Sequence, residues 1–445
     1  MNHPIQNPPF PRPYIISWNL TYRCNLACEH CYLDAGPKKL VDDEAFSDRS
    51  ELSTEQCFRV IDEIASWAPE AITILTGGEP LLRRDILDIV RYAAQKNLWA
   101  VCGTNGVKIT ENLAKLLKDA GLRGMALSLD ALDPARHDAF RRVRGAWENT
   151  VTGAEILNHV ELPFIVQTTV GKHNAAEVSA IADFAHDTMH AKVFNLYFLV
   201  QTGRGTFVSD ISPAEYAGVL QELHGIQKKY QGKMLVNAKC APHYMKFLYE
   251  TEAESPFIKS YTGGAGSCPA GTQYMGIRPN GDVTPCPYLP LFGGNLKKDA
   301  LREIWDASEV FVKIRQRDQL GGRCGSCEFG GVCGGCRARA YGVTNTLMNE
   351  DPLCDYEPGK HSQKEVNRAF ASATQYGISN VPAEIKWDPE ARTRMEKIPA
   401  FVRGMVVRRV EDYCRAQSLP RVTVAELDRL RAQMPANRLF SKPQV

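Results

Sequence analysis

Two periods of apolar residues alternate along the first half of the chain. Short, almost continuous apolar runs recur at residues 14–22, 71–76, 99–102, 125–129, 164–170 and 193–200. Such runs read as strands buried on both faces. Between them the apolar positions fall at helical spacing. A capping-box pattern, Ser53 to Gln56, opens a helix running to about Trp67. Further helices are predicted over 84–96, 111–120 (closed by Gly121), 146–160 and 175–187, and residues 37–50 read as a polar loop. Residues 84–96 place Ile86, Leu87, Ile89, Val90 and Ala93 on one face. Six β–α alternations predict a parallel sheet, either a barrel or an open doubly wound sheet. In both folds sites form at the C-terminal ends of the strands. Cys24–Cys31, Gly77–Pro80, Thr104-Asn105 and Asp130 all follow strands directly.

Ser212-Pro213-Ala214-Glu215 opens one more helix, to about Tyr230. From Cys240 to about Pro358 the pattern fades, and Gly, Pro and Cys dominate. A stretch so poor in periodicity needs another source of order, which metal clusters can supply. The divisions expected are an N-terminal extension (1–13), an α/β domain (14–235), a cysteine-rich domain (236–360), a linker (361–385) and a small helical domain (386–445). The last is basic, with 13 Lys/Arg against 7 Asp/Glu.

The 445 residues are enough for two or three domains. A net charge of +2 implies no polyelectrolyte partner, so no nucleic acid is expected. No window approaches the roughly 18 apolar residues of a membrane span. The proline-rich start does not read as a secretory signal, and a cytoplasmic protein is expected. Fourteen cysteines then point to metal rather than disulfides. Three lie in 24–31 and eight between Cys240 and Cys354. Cys57, Cys102 and Cys414 stand apart and read as small buried apolar residues.

Cys24, Cys28 and Cys31 are spaced C-x3-C-x2-C. Three thiolates on one loop can hold three irons of a [4Fe–4S] cluster and leave the fourth open to a ligand. A zinc site or three unrelated thiols is the alternative, although structural zinc prefers four ligands. In Gly77-Gly78-Glu79-Pro80 the glycines permit close backbone approach, and Glu79 can accept a hydrogen bond from a ligand amine. Alone, that pattern is equally a plain β–α turn.

Together, the cysteine loop and the glycine turn resemble the radical S-adenosylmethionine (SAM) superfamily, over residues 14 to about 200. The resemblance implies a partial (β/α)6 TIM-like barrel and an enzyme that reductively cleaves SAM to a 5′-deoxyadenosyl radical. It implies that Cys24, Cys28 and Cys31 ligate the cluster and that Gly77, Gly78, Glu79 and Pro80 meet the SAM amino group. Thr104 and Asn105 join the cofactor site. Ser128 and Asp130 fall where the family contacts the ribose, and Arg141 or Arg144 where it meets the carboxylate. His30 matches the position of an aromatic residue near the adenine. Asp130 is otherwise a turn or capping residue, and the arginines a solvated helix face. No catalytic residue is assigned.

The later cysteines, Cys240, Cys268, Cys286, Cys324, Cys327, Cys333, Cys336 and Cys354, resemble the SPASM extension of such enzymes, with C-x2-C where C-x3-C is common. The resemblance implies two auxiliary [4Fe–4S] clusters, one on Cys240, Cys268, Cys286 and Cys336, the other on Cys324, Cys327, Cys333 and Cys354. Zinc on Cys324/Cys327/Cys333/Cys336 is the alternative. The stretches 202–205, 239–244 and 335–341 resemble the haem-biosynthesis branch, namely alternative-pathway haem synthase and the haem d1 biosynthesis protein. Residues 387–413 resemble the C-terminal domain of light-independent protochlorophyllide reductase. These resemblances imply a tetrapyrrole substrate, loss of its side-chain groups and an external low-potential electron donor. His243 and Tyr244 are candidate ligands of a substrate iron. A peptide-modifying SPASM maturase and a non-catalytic iron–sulfur electron carrier are the competing expectations.

Overall fold

In a computed structural model, residues 12–37, 51–208, 210–253, 255, 258, 268–371, 385–396 and 400–433 are described. Seven parallel strands follow one another in chain order: β1 (Ile15–Asn19), β2 (Ile72–Thr76), β3 (Trp99–Thr104), β4 (Met125–Ser128), β5 (Phe164–Val170), β6 (Val193–Phe198) and β7 (Leu235–Lys239). Each neighbour pair is parallel. A doubly wound sheet would reverse its strand order at a switch point. This one does not, so the barrel alternative holds, as a partial barrel.

Helices cover the outside. Those at Thr54–Trp67, Ile86–Gln95 and Glu111–Asp119 send Ile61, Ile64, Ile89, Val90 and Leu117 into a common core with Leu75, Ala100, Cys102 and Val166 of the strands. Ser53 and Ser212 both cap through complete capping boxes. Along β2, β3 and β5 burial alternates. The helix-facing residues are fully buried. The opposite face is half-buried, so the concave side of the barrel is a lumen rather than a filled core.

Three expectations are corrected. A seventh strand, β7, extends the sheet, where none was predicted. The helix expected over 175–187 is instead a 3₁₀ turn, the short helix Val178–Asp183 and a π turn, Phe184–Thr188. The cysteine-rich stretch is not patternless. Its strands β8 (Tyr274–Ile277), β9 (Asp282–Thr284) and β10 (Gly294–Asn295) join the barrel's own sheet, in the order β10-β9-β8-β1. Strand β8 pairs with β1 in parallel, while β9 and β10 are antiparallel additions. Helices at Leu301–Ala307, Glu309–Arg315 and Arg337–Thr344 follow. Within the expected linker, Gln363–Ala371 is a helix. The C-terminal stretch has helices Pro389–Glu396, Ala400–Ala416 and Val424–Gln433 around a two-stranded parallel ribbon, Lys386–Trp387 with Arg421–Val422. Ala391, Val410, Cys414, Val422 and Leu430 form its own small core. Beyond Pro37, the loop expected at 37–50 lies outside the described residues, as do most of 1–13 and 372–384. No described helix is long and apolar enough to cross a membrane.

Candidate active site and cluster sites

The loop after β1 carries the first three cysteines, and three other segments pin it. The glycine turn after β2 packs against its base: Gly78 N donates to Thr21 O at 2.7 Å, and Glu79 N to Arg23 O at 2.8 Å. A Cβ on Gly78 would stand 2.2 Å from Arg23 O, so only glycine fits there. From the end of β6, Arg204 N donates to Cys31 O at 3.0 Å and Arg204 Nε to Cys28 O at 2.9 Å. Gly203 beside it has φ +57°, and a Cβ would lie 2.6 Å from Cys31 O. From β3, Asn105 Nδ2 donates to Asn25 Oδ1 at 2.9 Å.

Donors also reach the sulfurs themselves. Leu26 N lies 3.4 Å from Cys24 Sγ, Ala35 N 3.4 Å from Cys31 Sγ, and Arg141 NH1 3.5 Å from Cys28 Sγ. Burial pushes the Cys24 thiol up to about 12 and raises Cys28. These thiols keep their protons at neutral pH until a metal replaces them, so ligand deprotonation and metal binding are one event. Three thiols with N–H donors aimed at their sulfurs fit a three-ligand iron–sulfur cluster.

Glu79 also makes contacts within the protein that the sequence does not announce. Its side chain is fully buried. Its carboxylate accepts from Leu81 N at 3.1 Å, Thr104 Oγ1 at 2.8 Å and Asn105 N at 2.9 Å. It therefore ties the glycine turn to the end of β3, with Thr104 and Asn105 as its partners. Burial pushes this carboxyl from 4.5 up to about 7, against the pull of the three donors. An acid whose folded pKa is raised contributes stability below its unfolded pKa and loses it as pH rises through the folded value. The melting temperature should therefore fall, relative to Glu79→Gln, as pH rises from about 6 to 8. A difference that stays flat over that range would show Glu79 to be charged throughout.

Asp130 and Arg141 were each expected to meet SAM. The structure pairs them with each other, both buried. Thr169 N donates to the other Asp130 oxygen at 2.8 Å. Burial alone would raise the Asp130 carboxyl, but Arg141 and the nearby His30 and His137 outweigh it and hold it at about 2. With one nitrogen on Asp130 and one on Cys28, Arg141 keeps its Nε buried and without a partner among the described residues. His30 stacks on Phe140 at 4.6 Å, and Phe140 on His173 at 4.0 Å. Ser128 ends β4 half-buried on the lumen face, in register with Gln167.

The eight later cysteines fall into two groups. Cys336 is within side-chain hydrogen-bonding reach of both Cys240 and Cys268, and Cys286 within electrostatic reach of Cys268 and Cys336. Cys324 and Cys354 lie in the same reach of Cys327 and of Cys333. The second group lines a small cavity, with His243, Lys246 and Phe329 also on its wall. Backbone N–H groups of Arg337, Leu289, Phe329, Gly335 and Tyr356 donate to Cys268, Cys286, Cys327, Cys333 and Cys354. Four thiols and sulfur-directed donors in each group fit a closed cluster. The zinc alternative fails on placement, since Cys333 and Cys336 face different groups. Among the described residues, no three His, Cys, Asp or Glu side chains close to single-ion distance.

One ion pair that the sequence did not flag holds these groups together. Asp351 and Arg339 are both buried and pair at 3.0 Å. Asp351 accepts from Cys336 N at 2.6 Å and Leu353 N at 3.1 Å. Arg339 donates to Leu199 O at 3.2 Å and Cys240 O at 2.9 Å. His243 and Tyr244 are buried among side chains, His243 Nδ1 against Tyr216 OH at 3.0 Å and Tyr244 OH against His224 Nδ1 at 3.3 Å. Both are held in place by these neighbouring side chains.

Residues 18–185 match the radical SAM superfamily, 268–328 the iron–sulfur cluster-binding domain SPASM, and 387–431 the proto-chlorophyllide reductase 57 kD subunit. The AdoMet-dependent heme synthase of Methanosarcina barkeri is 38% identical over 353 residues, covering 78% of this chain and 98% of that protein. Its counterpart in Nitratidesulfovibrio vulgaris is 35% identical over 351 residues, covering 77% and 92%. In fold, the chain is similar to Streptococcus suis SuiB bound to precursor peptide SuiA, with a TM-score of 0.61, 17% identity, and 77% and 76% of the two chains covered.

Proposed function

We propose, from the premise that this chain is a radical SAM enzyme carrying a SPASM domain, that it modifies side chains of a tetrapyrrole, by oxidative decarboxylation or removal of side-chain groups of a haem precursor. The similarity to AdoMet-dependent heme synthases along nearly their whole length carries this reading. The lumen supports it: Ile15, Ile72 and Trp99 register as an apolar floor, below a more polar rim.

When bound, SAM and its cluster supply a one-electron cleavage that makes a carbon radical able to take hydrogen from an unactivated C–H. The chain supplies the rest. Cys24, Cys28 and Cys31 hold the cluster at the C-terminal mouth of the barrel. The turn at Gly77–Pro80 and the Asp130–Arg141 pair fix the walls beside it. The half-buried lumen face encloses the substrate and limits water. The two later cysteine groups hold auxiliary clusters placed to take up an electron. An external low-potential donor is required to start the reaction. All fourteen cysteines are free thiols in the structure, which suits the reducing cytoplasm.

Anaerobically reconstituted enzyme, incubated with SAM, a reductant and either iron-coproporphyrin or didecarboxysirohaem, is the test. Mass analysis should find loss of carbon dioxide and two hydrogens for each propionate converted to a vinyl group. Unchanged mass with both substrates would overturn the tetrapyrrole reading and favour a peptide substrate. The C-terminal basic module, on this proposal, pairs with tetrapyrrole carboxylates.

A further inference from the structure

The rim of the lumen carries two cations, Lys239 and Arg278, that no carboxylate pairs with among the described residues. Strand register defines which residues share the concave face. Gln167, Asn195 and Asn237 align across β5, β6 and β7, and so do Thr169, Tyr197 and Lys239. Asn237 Nδ2 donates to Asn195 Oδ1 at 3.0 Å, which confirms that these side chains meet on one face. Lys239 thus projects from the last residue of β7 into the mouth. It has no hydrogen bond or ion pair among the described residues. Arg278 directly follows β8, two pleats beyond the lumen-facing Tyr274. Its Nε is buried without a partner, and no carboxylate faces it among the described residues. Its guanidinium sits over Phe292, 5.2 Å from the ring centroid.

These positions flank the one discontinuity of the barrel wall. Strand β7 ends the sheet on one side, and β8 joins it only through β1, so β7 and β8 do not pair. Phenols span the gap between them. Tyr288 is within electrostatic reach of Cys240, Tyr197, Tyr32 and Tyr274, and Tyr32 is stacked edge-on against it at 4.8 Å. Tyr32 OH is satisfied by Asn19 Oδ1 at 2.7 Å. The hydroxyls of Tyr197 and Tyr288 have no partner among the described residues. Two unpaired cations and two free phenols, above an apolar floor, form a receptor for an apolar body that carries two or more carboxylates.

We propose that Lys239 and Arg278, with the Tyr197 and Tyr288 hydroxyls, bind two side-chain carboxylates of the substrate at the β7–β8 opening, and so set how it is oriented under the first cluster. Lys239 adjoins the cluster ligand Cys240, so the carboxylate it holds lies beside the auxiliary cluster proposed to take up an electron. The inference rests on the tetrapyrrole reading above and adds the residues that recognise the acid groups.

Equilibrium titration of the iron-loaded enzyme with iron-coproporphyrin, followed by tryptophan quenching, tests it. Lys239→Gln and Arg278→Gln should each weaken Kd by about tenfold or more, the range expected for a charge-assisted hydrogen bond. Lys239→Arg, compared at matched iron content, should stay within about threefold of wild type. The tetramethyl ester of the same porphyrin should bind wild type more weakly than the acid does. Equal binding of acid and ester, or unchanged Kd in both Gln variants, overturns the proposal. A wild-type enzyme that binds neither porphyrin overturns the tetrapyrrole reading and this proposal with it.

Discussion

Replacing Asp351 by alanine should strip both auxiliary cysteine groups of iron and destabilise the chain by about 3–5 kcal/mol, the cost of breaking one side of a buried ion pair. The size follows from what the carboxylate touches. One oxygen takes the N–H of Cys336, a residue of the first group, and the guanidinium of Arg339. The other takes the N–H of Leu353, next to Cys354 of the second group. Its removal leaves Arg339 as a buried, uncompensated charge. Arg339 in turn holds the carbonyl of Cys240 and the end of β6. Iron should fall from about 12 per chain to about 4, if each cluster carries four. Iron assay and thermal melting check this. A variant that keeps about 12 irons and melts as wild type does would make the pair incidental.

The second large effect separates the clusters by role. Cys28→Ala should abolish SAM cleavage, by about a thousandfold or more, because two thiolates cannot hold the cluster that SAM must reach. Cys327→Ala removes one thiol of the second auxiliary group. It should leave SAM cleavage measurable while product formation from the substrate is lost. The measurement is 5′-deoxyadenosine against modified substrate, in the same reaction. The distinction follows from position. Cys28 lies on the loop after β1, where Arg141 reaches its sulfur. Cys327 lies beyond β10, on the wall of a separate cavity. If Cys327→Ala also stops SAM cleavage, the auxiliary group is needed for the first chemical step.

What was legible in the chain was what local chemistry determines. Ser53 and Ser212 announce their helices because a capping box is complete within four residues. Strands β1 to β6 announce themselves because one face is buried under the helices and the half-buried lumen face is also largely apolar in sequence. Strand β7 hid because its inward face is Asn237 and Lys239, and its first residue, Leu235, is exposed. The helices at 301–315 hid because each is only 7 residues long. The cysteine positions were visible, but spacing cannot separate Cys333 from Cys336, which chain folding turns toward different groups. The pairs Glu79–Thr104, Asp130–Arg141 and Arg339–Asp351 exist only once distant segments meet. None of these partnerships can be read from residue type or spacing alone.

The pairing of β8 with β1 has a consequence for how the molecule comes apart. The strand that launches the first cysteine loop is hydrogen-bonded on one side to the barrel and on the other to the cysteine-rich region. Neither half can peel away without baring an edge of β1. Denaturation of the barrel and of the cysteine-rich region should therefore be a single cooperative event rather than two.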